Sequence, residues 1–539
     1  MTSVQYISLL NFCKKYSSIV CYGASEHGFI VKHFLELHNV TVSAFLVSDK
    51  NDNDVLRDGI PVYSVTDLDK LQSDEGIVLS LYERHHKAIL RTLKLLGYTD
   101  NVFAISDALQ QQMHLDLVIA DRKSTLCTKP LLNEEELKKN EVDSKVFFNH
   151  YKRVECRFFD VLAIGAYSLW IYYSYLRAQA SEDVFHLYYP VVYEHRLEEK
   201  LKGANEYLLQ KMNCLGMAVV SKQNLSFWQY VFQTYEERCI LYDDYTFTGY
   251  SENLKKNYKN VQLDKSLIKL SEQEIDIGNK RGKEMGIKAA YICISNRDIV
   301  YRKMRNREIL KADFRDAYRN SNIENHRLAV EYLAANNIQA VRMGAVVEKQ
   351  WEHENVVNYA GSEYRSEFMD VYLVSQCKFF VGDLSGILAF AMLLAKPMII
   401  TNAPLLTTRY DAVAFISPDK DIALLKKLWD SKNNRYLTIQ DMLNYEVNIC
   451  VQEPNIAGAV FREYKDRGIV PVDNTPEEIL AVVKEMNERI DGTVQYDELD
   501  IELQARYREI VDNYPMKENV LNNWRLGAVF LRENQWLLE

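Results

Sequence analysis

Residues 377–404 read CKFFVGDLSGILAFAMLLAKPMIITNAP. An apolar strand over Phe379, Phe380 and Val381 stops at Gly382, and a short Asp383-Leu384-Ser385-Gly386 loop follows. A helix of small residues then runs through Ala389, Phe390 and Ala391 to Lys396-Pro397. A second apolar strand, Met398 to Ile400, leads into Thr401-Asn402-Ala403-Pro404. A strand, a Ser-Gly turn and a helix start gather backbone N–H groups at the positive end of a helix dipole. That arrangement is a seat for phosphate. An ordinary αβ repeat with a tight glycine turn fits the same letters.

Upstream of this stretch, a buried strand ending at Ile294 delivers Ser295-Asn296-Arg297-Asp298 to the C-terminal edge of a sheet. Ligands bind at that edge in open α/β sheets. The planar fork of Arg297 suits diphosphate oxygens and its charge does not titrate. A rim ion pair with Asp298 is the alternative. Residues 318–325 read YRNSNIEN. Helix capping explains one or two of these polar residues but not the whole run, which makes Asn320, Ser321 and Asn322 candidate ligand contacts. Arg342 ends another strand, and Glu363 sits in a loop before the next helix. Removing a proton from an acceptor hydroxyl takes a carboxylate. Glu363, Asp298 and Asp383 are the candidates, and the pattern alone leaves the choice among them open.

The first 110 or so residues alternate strand and helix, as a parallel doubly wound sheet does. The turn Gly23-Ala24-Ser25-Glu26-His27-Gly28 is a shortened glycine-rich nucleotide loop. Asp49 falls about 20 residues on, where a ribose-binding acid would stand. This small domain resembles the Rossmann-like domains attached to bacterial sugar-modifying enzymes, in which a GIPVY element (59–63) precedes an acidic helix. Ligand binding by Gly23, Ser25, Gly28 and Asp49 is one reading, and a structural or docking role is the other.

The remaining segments bound the classes. Residues 113–150 are charged and read as a linker with a short solvated helix. Residues 151–285 read as a second α/β region and 286–539 as a third, extended by C-terminal helices. Asp243-Asp244 lacks the third carboxylate of a metal-binding element, so no metal site is expected. The chain of 539 residues carries a net charge of −10, which argues against a general nucleic-acid binder. Its nine cysteines are scattered with no C-x-x-C pair, as in a reduced cytoplasmic protein. The opening MTSVQYISLLNFCKKYSS lacks the layout of a signal peptide. The greasy run 158–176 is broken by Asp160 and Gly165 and reads as a buried helix. Its Trp and Tyr residues leave room for peripheral contact with a membrane's inner face. Self-association stays open.

The ordered set N-R-D (296–298), Y-R-N-S-N-I-E-N (318–325), V-R-M-G (341–344), S-E (362–363), M-D-V-Y (369–372), F-F-V-G-D-L-S-G (379–386) and T-N-A-P-L (401–405) resembles a bacterial glycosyltransferase family of surface-polysaccharide gene clusters. R-Y-L-T-I-Q-D-M-L (435–443), V-D-N-T-P-E-E-I (472–479) and L-G-A-V-F-L-R-E-N (526–534) extend the resemblance. It spans roughly 150–539 and is strongest after 285. It implies an α/β fold with a GT-B-like pair of Rossmann-like domains, beside the small Rossmann-like N-terminal domain. It also implies a nucleotide-sugar donor, no tightly bound cofactor, and a glycan or lipid-linked acceptor. On this resemblance the donor diphosphate lies against Ser385 and Gly386, with Arg297, Asn320, Ser321, Asn322, Arg342, Asp383 and Asn402 around it. A more distant similarity is to fucosyltransferase-type enzymes, whose His-x-Arg pattern is Ser295-Asn296-Arg297 here. A sugar-nucleotide epimerase of the same fold and a non-catalytic nucleotide-sugar-binding protein are the alternatives.

Overall fold

The computed structural model describes residues 4–49, 56–70, 74–160, 164–180, 182–191, 205–212, 217–242, 265–288, 290–300, 314–406, 417, 419–450, 456–514 and 524–539. Asp243 and Asp244 lie outside them. The chain divides into two compact units. One holds Met1–Asp160, Tyr189–Leu201 and Val220–Asp243, and the other holds Val161–Tyr188, Lys202–Val219 and Asp244–Glu539.

The first unit opens with β1 (Ser18–Tyr22), β2 (Val42–Val47), β3 (Leu56–Arg57), β4 (Ile60–Ser64), β5 (Glu75–Leu79) and β6 (Val102–Ala104). They form one sheet in the order β3-β4-β2-β1-β5-β6, parallel except for the edge strand β3. The β3–β4 hairpin turns through Asp58 and Gly59, both at positive φ, which suits the right-handed twist of the strands. Alternating residues feed opposite faces. Ile19, Cys21 and Val78 join one core, and Val20, Tyr22, Ile77 and Leu79 the other. Both faces are covered, as a parallel sheet requires.

The region read as a linker with one short helix holds two long ones. Ser106 caps the helix Asp107–Cys127, whose Leu109 and Met113 pack into the N-terminal core. The second helix, Glu134–His150, starts with a capping box between Asn133 and Glu136. Leu109, Met113, Ile119 and Leu126 are buried along the first helix, and the second buries Asn140 and Ser144.

Four more strands follow in the chain: β7 (Arg153–Asp160), β8 (Val184–Val191), β9 (Ala218–Val219) and β10 (Cys239–Leu241). β7 pairs in parallel with β10, and β8 with β9 through Leu187 and Tyr188. The greasy run is not one helix. Residues 158–160 complete β7, and the helix is Ile164–Gln179 with Trp170, Tyr172 and Tyr173 buried. Among the described residues no helix is long and apolar enough to cross a membrane.

The large sheet of the second unit contains β11 (Tyr291–Ser295), β12 (Gln339–Arg342), β13 (Val356–Asn358), β14 (Phe380–Asp383), β15 (Met398–Ala403) and β16 (Ile422–Leu425). All are parallel, in the order β13-β12-β11-β14-β15-β16. This is the doubly wound order with its reversal between β11 and β14. Phe380, Val381, Ile399 and Ile400 are fully buried. Each such side chain contributes about 1.5–3 kcal/mol on burial. Beyond the sheet, β17 (Lys427–Asp430), β18 (Arg435–Tyr436) and β19 (Ile469–Val472) form a small antiparallel sheet in the order β18-β17-β19. The helix Pro476–Asp491 has Pro at its start, a Thr475–Glu478 capping box, and Gly492 at φ 70° as its stop.

Candidate functional site at the strand-order reversal

β11 and β14 are neighbours at the reversal point, with Ser295 paired to Gly382. A Cβ on Gly382 would collide with the Ser295 hydroxyl, so this position of the F-V-G-D stretch takes glycine. Asp383 extends β14 by two residues beyond Val381, and β15 likewise runs on through Asn402 to Ala403.

Asp383 is 1% exposed and organises the rim. One carboxylate oxygen accepts from the Arg297 backbone N–H at 3.0 Å and from Ser321 Oγ at 2.5 Å. The other accepts from Thr401 Oγ1 at 2.9 Å and Asn402 Nδ2 at 3.2 Å. A carboxylate holding four donors is a structural hub with its lone pairs committed. It ties the loop after β11, the 320s loop, β14 and β15 together.

The Arg297 guanidinium donates to Asn320 Oδ1 and faces Asp316 Oδ1 at 3.5 Å, with its side chain 16% exposed. The Asn320 carbonyl accepts from Lys426 Nζ at 2.7 Å. Lys426 is fully buried and pairs with Asp473 at 2.8 Å. Asn322 is exposed, and its side chain caps the turn by accepting from the Glu324 N–H. Its own N–H donates to Asp473 at 3.4 Å.

Arg342 is 2% exposed and works inside the rim. It donates to the Lys349 carbonyl and to Asn296 Oδ1, both at 3.0 Å. Asp298 accepts the N–H groups of Val300 at 2.9 Å and Glu348 at 3.0 Å, one on each oxygen. Both residues pin the loop at 345–350. Glu363 is exposed in the turn between β13 and the helix Glu367–Gln376 and is not among the residues bonded to Asp383. His326 is fully buried, and among the described residues its Nε2 has no partner. Burial pushes its imidazole toward the neutral form against the pull of Asp383.

The helix after the Ser-Gly turn is shorter than expected, only Leu388–Leu393. Its dipole is correspondingly small. The loop before it still offers donors. Among the described residues the N–H groups of Ser385, Gly386 and Ile387 have no acceptor. Ser385 Oγ is buried, without a partner among the described residues. Among the described residues no group of His, Cys, Asp or Glu is arranged to hold a metal.

Arg297, Asn320, Ser321, Asp383 and Asn402 therefore meet in one network, with Ser385 and Gly386 on the adjoining loop. Sequence reasoning missed Lys426, Asp473, Asn474 and Thr401. A signal existed in V-D-N-T-P, where Asp473-Asn474 sit between a strand and a capping box. A lysine inside the apolar run IALLKKLW gave another.

In the first unit, the analogous reversal lies between β1 and β5. Ser80 Oγ donates to the Tyr22 carbonyl at 3.0 Å and the Gly23 carbonyl at 3.3 Å. Gly23 has φ 123°. Ser25 precedes the helix Glu26–Leu37 without a side-chain cap bond, and Asp49 is exposed after β2.

No protein-family model and no curated protein matches the chain. Similar solved structures include glycosyltransferases and a putative UDP-N-acetylglucosamine 2-epimerase from Listeria monocytogenes. The glycosyl transferase family 9 protein from Veillonella parvula is 12% identical, with TM-score 0.34 over 64% of this chain and 98% of that one. The E. coli ADP-heptose LPS heptosyltransferase II is 12% identical, with TM-score 0.31 over 50% and 90%. The iron-containing dodecameric glycosyltransferase TibC from enterotoxigenic E. coli is 12% identical, with TM-score 0.28 over 47% of this chain. The chain spans 58% of the TibC length.

Proposed function

We propose that this chain is a glycosyltransferase of GT-B type, moving a sugar from a nucleotide-sugar donor to a glycan or related acceptor in surface-polysaccharide or glycoconjugate synthesis. The observation that carries the reading is the Arg297–Asn320–Ser321–Asp383–Asn402 network at the strand-order reversal, beside a loop with open N–H groups. Ligands of doubly wound sheets bind at such crevices.

In this reading the departing nucleoside diphosphate lies on the N–H groups and hydroxyl of Ser385 and Gly386. Arg297 neutralises the charge that develops as the glycosidic bond breaks. Donors fixed in advance at that point stabilise the transition state without reorganisation. Asp383 orients the loops that present them. Glu363 takes the acceptor proton. Asp298 is less suited, because backbone N–H groups occupy both of its oxygens. In this reading the chain's own N–H donors and Arg297 take the place of a metal at the departing diphosphate.

The test is release of free nucleoside diphosphate or monophosphate from UDP-, GDP-, ADP-, dTDP- and CMP-sugars, with and without a mixed glycan acceptor. The expected result is acceptor-stimulated release from one donor, lowered about 100-fold in Arg297→Ala with the fold retained. Nucleotide binding without acceptor-dependent release would instead favour an epimerase or a binding protein. Absence of any nucleotide binding would overturn the site.

A further inference from the structure

We propose that the sheet face formed by Val470, Trp429 and Tyr436, extended by Trp536, binds the acceptor as an uncharged oligosaccharide. The inference rests on the transferase reading and adds the acceptor's chemical class.

β17 grows directly out of the candidate site. β16 ends at the rim, and the next residue, Lys426, donates to the Asn320 carbonyl and pairs with Asp473. Trp429 follows three residues later, about 10 Å along an extended strand. The neighbouring strand returns to the same place. β19 ends at Val472 and runs straight into Asp473 and Asn474, whose bonds reach Lys426, Asn322 and Asn402.

Side-chain alternation decides what this small sheet shows. Leu428 and Asp430 are buried on one face, whereas Lys427 and Trp429 are half-buried on the other. In register, Trp429 stands opposite both Val470 and Tyr436. Residues directly opposite in antiparallel strands share a face. The result is a row Val470–Trp429–Tyr436 across all three strands. Trp536, from the C-terminal turn Gln535–Leu538, lies against it. Its ring stacks on Tyr436 at 5.0 Å and 25°, while Trp429 meets Tyr436 edge-on at 4.9 Å and 70°. Val470 is 49% exposed and the three aromatic residues are partly exposed.

Charge selects the occupant. Lys427 is paired with Glu478 at 2.7 Å, and Arg435 with Asp441 at 2.5 Å. Asp430 and its register partner Arg435 lie on the opposite face, where Asp430 accepts from the N–H groups of Lys432 and Asn433. On the row's own face β17 presents one charged side chain, Lys427, and it is ion-paired, whereas a polyphosphate or nucleic acid binds through free cations. A sugar ring offers C–H bonds carrying slight positive charge, and these pack on the electron-rich face of an aromatic ring. A neutral glycan running from this row to the rim would bring its end toward Arg297.

The test is a microbial glycan array probed with the full-length protein, its Trp429→Ala variant and its Val470→Asp variant. Val470 is a surface position, so its variant keeps the test valid should Trp429→Ala fail to fold. The expected result is binding to a subset of neutral glycans, about tenfold weaker in each folded variant. No binding to any glycan, or binding unchanged in the variants, overturns the proposal. So does a concentration-dependent dimer in sedimentation that Val470→Asp abolishes without a glycan signal, which would assign the face to a second copy of this chain. The nucleotide-release panel is scored on donor turnover and the array on glycan binding, so failure of one is distinguishable from failure of the other.

Discussion

Asn402 and Asn474 hold each other reciprocally. The Asn402 backbone N–H donates to Asn474 Oδ1 at 2.6 Å, and the Asn474 backbone N–H donates to Asn402 Oδ1 at 2.8 Å. Both are nearly inaccessible to solvent, 72 residues apart in the chain. Each uses its remaining amide to reach another strand. Asn402 Nδ2 donates to Asp383, and Asn474 Nδ2 to the Leu425 carbonyl. Two side chains therefore join β14, β15, β16 and the exit of β19 beside the candidate site. Asn402 also takes φ 51°, a conformation asparagine tolerates better than most residues.

This pair gives a stability prediction with an internal control. Asn402→Ala strands a buried N–H partner and strains the backbone, for an expected loss of about 3 kcal/mol. Asn402→Gly removes the same hydrogen bonds but relieves the strain, so its loss is expected to be about 1 kcal/mol smaller. Thermal melting of the full chain, with hydrogen exchange read at β15 and β19, measures both. Equal melting temperatures for the two variants would remove the strain component.

The N-terminal glycines make a second prediction. A Cβ on Gly28 would fall directly on the Gly23 carbonyl, and one on Gly23 would lie 2.8 Å from the Ser80 carbonyl. Both obstacles are backbone, so neither can swing aside. Gly28→Ala is expected to push the helix Glu26–Leu37 off β1 at a cost of about 3 kcal/mol. Faster amide exchange across β1 and that helix is the readout. Close backbone approach constrains both positions, Gly28 against the turn after β1 and Gly23 against the end of β5.

Glycines at strand ends and apolar runs of four to six letters made the two doubly wound sheets legible from sequence. The rim was legible in part, for a physical reason. Arg297, Asn320 and Asp383 follow strand ends, and a parallel sheet brings such positions together whatever their separation in the chain. Lys426 and Asn474 left only a weak signal, because several of their partners, the Asn320 and Leu425 carbonyls and the Asn402 N–H, are backbone groups that the letters do not mark. The three-stranded sheet escaped because β17, β18 and β19 are two to four residues long. The helix Asp107–Cys127 was hidden because Asp116, Asp121, Arg122 and Lys123 stand between its buried apolar residues in the sequence.

Glu274 predicts how stability depends on acid. Burial opposes its ionisation, but Lys211 at 2.7 Å, the Ser271 N–H at 2.7 Å and Tyr207 at 2.8 Å outweigh that and hold its carboxyl at about 2, below the ordinary 4.5. A depressed carboxyl stabilises the fold above its unfolded pKa and loses that contribution as pH falls from about 4.5 toward about 2. The size is about 2–3 kcal/mol at neutral pH. Asp370 acts in the opposite sense. Burial pushes it up to about 6 from 3.8, against the pull of Arg365 and the hydrogen bond from Tyr359. Its contribution is present below its unfolded value and is lost as pH rises toward 6. Melting curves of wild type and Glu274→Gln between neutral pH and strong acid separate the two. The variant should melt lower at neutral pH, and the gap should close through the acid limb, because only the wild type has this carboxylate to lose. A gap that stays constant with pH would mean that Lys211 and Ser271 do not hold Glu274 ionised. The Asp370 contribution cancels from the comparison, since both proteins carry it.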